Sequence, residues 1–270
     1  MKSIFVTVGT AVALAGFVIG QNGPPPGTPL ATIYSSCKVP NTVALTFDDG
    51  PYIYERDVIN TLAQYNAKGT FFLSVQRFPR CPFRYSSYDR NGNNWACIYD
   101  DTRISAIRAV YNAGHQLGGH TWTHADLTTL TWDQIHDQMW RVAEALLRIT
   151  GAYIAMFRPP YGSYNNLALQ AIKVRNQSAV LWDFDSLDSD GATPAESKTR
   201  YDQLVARHPS TVLALNHSPL NNTVFDVLPH ALSVLSGAGY RFVTVSDCLG
   251  GVPPYQFTQA PGVKDASWTC

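Results

Sequence analysis

The stretch TVALTFDDGP, Thr42–Pro51, carries an apolar, β-prone run directly into two adjacent carboxylates and a Gly-Pro turn. Six further runs share its character: GTFFL (69–73), HQLGG (115–119), AYIAMF (152–157), SAVLWDF (178–184), TVLALN (211–216) and YRFVTV (240–245). Between them lie stretches of helical period. In 132–150, Ile135, Met139, Val142, Leu146 and Ile149 recur every three or four residues, which predicts an amphipathic helix. Thr131 with Gln134 has the form of a capping box, and Gly151 stands where a helix end favours positive φ. A second helix is expected after Thr193, with Pro194 at its first position and Glu196 completing the same box. Seven alternations of strand and helix predict an α/β fold, either a barrel or a doubly wound sheet, built on parallel strands.

Length and composition bound the function. A chain of 270 residues is long enough for one large core. Charged residues make up 15%, and 20 basic residues balance 20 acidic ones without a basic run, so neither nucleic acid nor an anionic lipid surface is an expected partner. Residues 1–20, MKSIFVTVGTAVALAGFVIG, place one lysine before an apolar run that ends in small residues, which reads as a signal peptide. A Pro/Gly-rich linker is expected over 21–33, one domain over 34–250 and a C-terminal extension over 251–270. The mature protein is therefore expected outside the cell or in the cell wall, as a monomer not held in a membrane. Five cysteines, Cys37, Cys81, Cys97, Cys248 and Cys270, imply disulfides with one thiol left over, and the sequence alone does not pair them. Asn176, Asn216 and Asn221 open N-x-[ST] sequons, Asn216 directly before His217.

Polar residues interrupt the apolar runs at strand C-terminal ends, where α/β proteins collect reacting groups. Asp48 and Asp49 alone would read as a solvated Asp-Gly turn. In GHQLGGHTWTHADL, His120 and His124 stand four apart, close enough in a tight turn or helix to share a metal ion. Two imidazoles with one carboxylate form a ligand set that leaves positions open for water and substrate. Further strand ends carry Arg158 in FRPPYG, Asp185 and Asp188 in LWDFDSLDS, and His217 in LALNHSP. An arginine beside Asp48 would keep that acid ionised as a general base, and a carboxylate behind His217 would suit it as a general acid. Each alone is an ordinary salt bridge or cap; together they make a hydrolytic site.

In order, TFDDGP, HTWTH, RPPYG, WDFDSLD and LNH resemble the five motifs of the NodB-type polysaccharide deacetylases, among them secreted fungal chitin deacetylases. The resemblance covers roughly Tyr34 to Leu249. It implies a distorted (β/α) barrel of about seven parallel strands and one divalent ion, zinc or cobalt, held by Asp49, His120 and His124. It further implies Asp48 as catalytic base tethered by Arg158, His217 as acid supported by Asp188 in preference to Asp185, and the Tyr161 backbone N–H as an oxyanion donor. The implied reaction removes acetyl groups from N-acetylglucosamine residues of chitin or a related polysaccharide. An acetylxylan esterase with the same site, or a polysaccharide-binding protein that has lost turnover, are the alternatives. The resemblance also suggests Cys37–Cys248, which leaves Cys97 for Cys270 once Cys81 is set aside.

Two departures stand out. Asp188 is followed by Ser189 where the family usually has Trp, so reduced but not absent activity is expected. The segment SVQRFPRCPFRYSSYDR, Ser74–Arg90, has no family counterpart and no regular period. It is either a surface loop shaping substrate access or a translated intron; the second is favoured because its deletion restores both the family spacing and an even cysteine count. Mass spectrometry of the native secreted protein is expected to return no peptide from Ser74–Arg90, and one such peptide overturns that reading.

Overall fold

The computed structural model describes residues 23–75 and 97–270. The expected signal peptide and, apart from Ser74 and Val75, the 74–90 segment lie outside the described residues. From the N-terminus the elements are β1 (Ile33–Tyr34), β2 (Thr42–Asp48), α1 (Glu55–Ala63), β3 (Gly69–Leu73), α2 (Asp101–Asn112), β4 (Gln116–Gly119) and α3 (Trp132–Thr150). There follow β5 (Ala152–Ile154), β6 (Met156–Phe157), α4 (Asn166–Val174), β7 (Ser178–Val180), β8 (Phe184–Asp185) and α5 (Pro194–Arg207). The chain ends with β9 (Thr211–His217), α6 (Leu228–Gly237), β10 (Arg241–Phe242), α7 (Val245–Cys248) and β11 (Tyr255–Thr258).

Nine strands form one parallel sheet in the order β1-β7-β6-β4-β3-β2-β9-β8, with β10 also pairing with the start of β2. The sheet curls into a half-barrel. Every residue of β2 and β3 is buried, as expected where a parallel strand is covered on both faces. Val43, Leu45 and Phe47 pack into the core lined by α1, α2, α3 and α6, while Ala44 joins Phe72, Met156 and Leu213 in a second cluster.

The main sheet has nine strands against seven expected runs because β1 joins its edge and 178–184 is divided into β7 and β8; 152–157 is divided too, but its first part leaves the main sheet. In 152–157, the Ala155 N–H donates to the Pro254 carbonyl, so 152–154 pairs antiparallel with β11 and only Met156–Phe157 enters the main sheet. In 178–184, the carbonyls of Val180 and Leu181 accept from the Arg158 side chain. β7 ends there, and β8 begins beyond it against β9.

Helix ends follow the local chemistry. Thr131 and Gln134 form the reciprocal capping box of α3, and Thr193 and Glu196 that of α5. Two disulfides, Cys37–Cys248 and Cys97–Cys270, span 211 and 173 residues and match the pairing that the family resemblance suggested. Loops of that length correspond to about 5 kcal/mol each in the chain-entropy description.

Gly151 caps α3 with φ 81°, and its carbonyl accepts from the Gln259 N–H of the C-terminal segment. A Cβ added there would collide with the Gln259 carbonyl oxygen. Gly151→Ala adds that clash to a left-handed conformation that costs an ordinary residue about 1–2 kcal/mol. Thermal or urea denaturation is expected to show a loss above about 2 kcal/mol, and an unchanged midpoint would contradict this account of the cap.

Candidate active site

The C-terminal edge of the half-barrel gathers all eight residues singled out in the sequence. Asp48 ends β2 and Asp49 follows it; His120 and His124 follow β4; Arg158 and Tyr161 follow β6; Asp188 follows β8; His217 ends β9. Parallel register puts Asp48 directly opposite His217 on the neighbouring strand.

Arg158 is fully buried. Its Nη1 donates to Asp48 Oδ1 at 2.8 Å and to Thr46 Oγ1 at 2.6 Å, while Nε and Nη2 donate to the carbonyls of Val180 and Leu181. The guanidinium lies over the Phe72 ring at 4.2 Å. Phe72 in turn needs Gly118, where a Cβ would come within 2.5 Å of the ring. Burial raises the Asp48 carboxyl above its ordinary value, and the Arg158 charge pulls the other way. The arginine alone was expected to hold this acid ionised; desolvation is the larger effect, and it makes Asp48 a stronger base.

Asp49, His120 and His124 meet in a second group. Asp49 Oδ1 lies 3.6 Å from His120 Nε2 and 3.4 Å from His124 Nε2, and it is buried without a hydrogen-bond partner. His120 Nδ1 lies 2.8 Å from the Arg158 carbonyl, which can only accept, so Nδ1 carries the proton and the Nε2 lone pair faces Asp49. Burial lowers the His120 imidazolium to about 3, so the ring is neutral. His124 Nδ1 lies 3.2 Å from Tyr161 Oη.

These three residues fit a divalent cation. Their ligand atoms all lie within 4.8 Å of one another. A buried, unpaired carboxylate oxygen facing the His120 Nε2 lone pair is repulsive until a cation lies between them, and two nitrogens with one oxygen form a familiar open set. The spacing of His120 and His124 is closed by a turn, not a helix, with positive φ at Thr121 and His124. Asp49 and Tyr161 share that conformation, so strained backbone concentrates at the site.

The third group is His217 with Asp188. Asp188 Oδ1 lies 2.7 Å from His217 Nδ1, and Oδ2 accepts from the His217 N–H at 2.8 Å and from Thr223 Oγ1 at 2.7 Å. Burial would lower the His217 imidazolium, but the Asp188 carboxylate outweighs it, with help from Asp49 and Asp48, and raises the group to about 10. Burial likewise pushes Asp188 up, yet the His217 charge and the hydrogen bonds hold it below the usual range. Asp185 instead caps a local turn by accepting from the Leu187 N–H.

Several supporting residues carry no signal in the sequence. Thr46 and Thr223 bind Arg158 and Asp188 across 112 and 35 residues, and the Tyr161 phenol contacts His124 although only its backbone had been singled out. Of the sequons, Asn176 and Asn221 are exposed, whereas Asn216 is buried with Oδ1 accepting from the Tyr201 hydroxyl. Among the described residues, no helix is long and apolar enough to cross a membrane.

Residues 35–179 match the family model described as polysaccharide deacetylase. A chitin deacetylase of Pestalotiopsis sp is 36% identical over 82% of this chain and 68% of its own length. A chitin deacetylase of Colletotrichum lindemuthianum is 29% identical over 93% and 96%. The solved structure of the chitin deacetylase from Colletotrichum lindemuthianum superposes with a TM-score of 0.72 at 28% identity, covering 83% of this chain and 94% of the other. The fold, the grouped carboxylates and imidazoles, and these likenesses together place the chain in the polysaccharide deacetylase family.

Proposed function

We propose that the protein hydrolyses the N-acetyl groups of N-acetylglucosamine residues in chitin or chitin oligomers, releasing acetate. The observation that carries this reading is the flanking of the Asp49–His120–His124 triad by two buried ion pairs, Asp48–Arg158 and His217–Asp188. The mixed nitrogen and oxygen donors suit zinc or cobalt. A divalent ion bound there supplies an activated water near neutral pH and polarises the amide carbonyl.

The chain's own residues do the rest. Asp48 has Oδ1 committed to Arg158, leaving Oδ2 to take the proton of the attacking water. The backbone N–H of Tyr161, set by its left-handed conformation, donates to the developing oxyanion. His217 is held through Nδ1 by Asp188, so Nε2 delivers a proton to the departing nitrogen. An amine cannot leave as its anion, whereas an ester releases a far better leaving group. A histidine held protonated through neutral pH by Asp188 supplies the proton that the departing amine needs. Two disulfides agree with an extracellular or cell-wall location after signal cleavage. The substrate partner is a neutral glycan, taken by a monomer.

Acetate release from chitin pentamer is expected to vanish on stripping the metal and to return with zinc or cobalt. Asp48→Asn is expected to lower kcat by roughly 10²- to 10⁴-fold while metal content, read by atomic absorption, is retained. Oligomer binding without acetate release would instead identify a protein that has lost turnover, and faster release from acetylated xylan would identify an esterase.

The pH profile tests the acid. His217 must be protonated, and its raised value keeps it so through neutral pH, with activity lost as pH rises through the folded value. Asp188→Asn removes the main cause of that rise, so the alkaline limb of kcat/KM is expected to move to lower pH. At pH 8 kcat is expected to fall by about tenfold or more. An unmoved alkaline limb would remove His217 from the acid role.

A further inference from the structure

A polysaccharide chain cannot lie within the catalytic groups alone: one ring is deacetylated while its neighbours extend over the rim. On that rim the loops after β2 and β9 carry an aromatic edge that the chemistry above does not use. Phe225 is 49% exposed, and its ring stands edge-on to Tyr54, with centroids 5.3 Å apart. Tyr54 stands edge-on to buried Tyr52 in turn, at 5.1 Å. Ile53, beside Tyr54 in the chain, is 60% exposed.

The edge is continuous with the catalytic centre. Ile53 and Tyr54 follow Asp49 by four and five residues. Phe225 lies on a π-helical turn, Thr223–Val227, whose first residue donates its hydroxyl to Asp188 while Val224 and Val227 are buried. That turn thus holds the partner of His217 and turns Phe225 out to solvent. Asn221 Nδ2 bridges the two loops by donating to Tyr54 Oη at 3.4 Å. π-Helical turns of this kind are uncommon and gather at functional sites.

The opposite rim also exposes aromatic surface. Tyr161 and Tyr164, after β6, are 65% and 38% exposed. In the sheet, β6 and β9 lie on opposite sides of β4, β3 and β2. Aromatic surface therefore flanks the triad on both sides, and a glycan crossing from one to the other would pass over it. Pyranose rings present apolar C–H faces with polar edges, and an aromatic ring with a hydroxyl or amide at its border matches both.

We infer that Phe225 and Tyr54, bordered by Ile53 and Asn221, form a sugar-stacking subsite. It holds a ring of the same polysaccharide chain away from the one being deacetylated. This rests on the deacetylase reading and adds a determinant of chain-length preference that lies outside the five motifs.

The test measures kcat and KM for acetate release from N-acetylglucosamine oligomers from dimer to hexamer in the wild type, Phe225→Ala and Phe225→Trp, with thermal midpoints alongside. Wild-type KM is expected to fall as the oligomer lengthens. Phe225→Ala is expected to raise KM for pentamer and hexamer about three- to tenfold with kcat kept and the dimer little changed; Phe225→Trp restores the length dependence. An equal loss at every length, or no loss at any, overturns the subsite, because a packing role alone would not distinguish dimer from hexamer. A wild type that releases no acetate at any length sinks the deacetylase reading and this inference with it. The two failures differ because that one is visible before any substitution.

Discussion

The buried guanidinium of Arg158 is the interaction on which the site depends. It reaches Asp48 and Thr46 on β2 and the carbonyls at the end of β7, while its own backbone N–H donates to Gly119 and its own carbonyl accepts from His120. One residue therefore aligns the base, fixes the tautomer of a triad histidine and ends a strand. Its charge is tolerated at zero exposure because four acceptors replace the lost water. Removing it would leave Asp48 buried and unpaired, a costly arrangement in a low-dielectric interior.

The rest of the centre is arranged as a set of opposed charges in a dry setting. His217 and Asp188 stabilise each other's ionised forms, whereas His120 remains neutral because burial dominates. The main difference between these two histidines at the same sheet edge is a bidentate carboxylate behind His217 and a backbone carbonyl behind His120. The strained turns at Asp49, Thr121, His124 and Tyr161 persist because the fully buried strands β2, β3, β4 and β6 anchor them.

Local chemistry made much of the fold legible. The α3 helix, its capping box and the glycine that ends it can be read from Thr131 to Gly151 because period and caps act within a few residues. β2, β3 and β9 are legible as uninterrupted apolar runs. The breaks in 152–157 and 178–184 were not. They arise from the Pro254 carbonyl and the Arg158 side chain, which compete for the backbone from distant parts of the chain. β1 and β11 were likewise too short for any period to show.

By itself the sequence determined the α/β class, the ends of α3 and the start of α5, and it marked the polar residues at strand ends, since strand ends in a parallel sheet collect on one edge. The family resemblance implied the Asp48–Arg158 and His217–Asp188 pairs, and the tertiary structure decided their geometry and their further partners. Asp188 backs His217 while Asp185 caps a turn, Thr223 supports Asp188, and Tyr161 reaches His124 through its phenol. It also turned Phe225 outward against Tyr54. The physical reason is distance along the chain: apolar period and capping are local, but a hydrogen bond between side chains depends on where separate strand ends arrive, to within a fraction of an ångström.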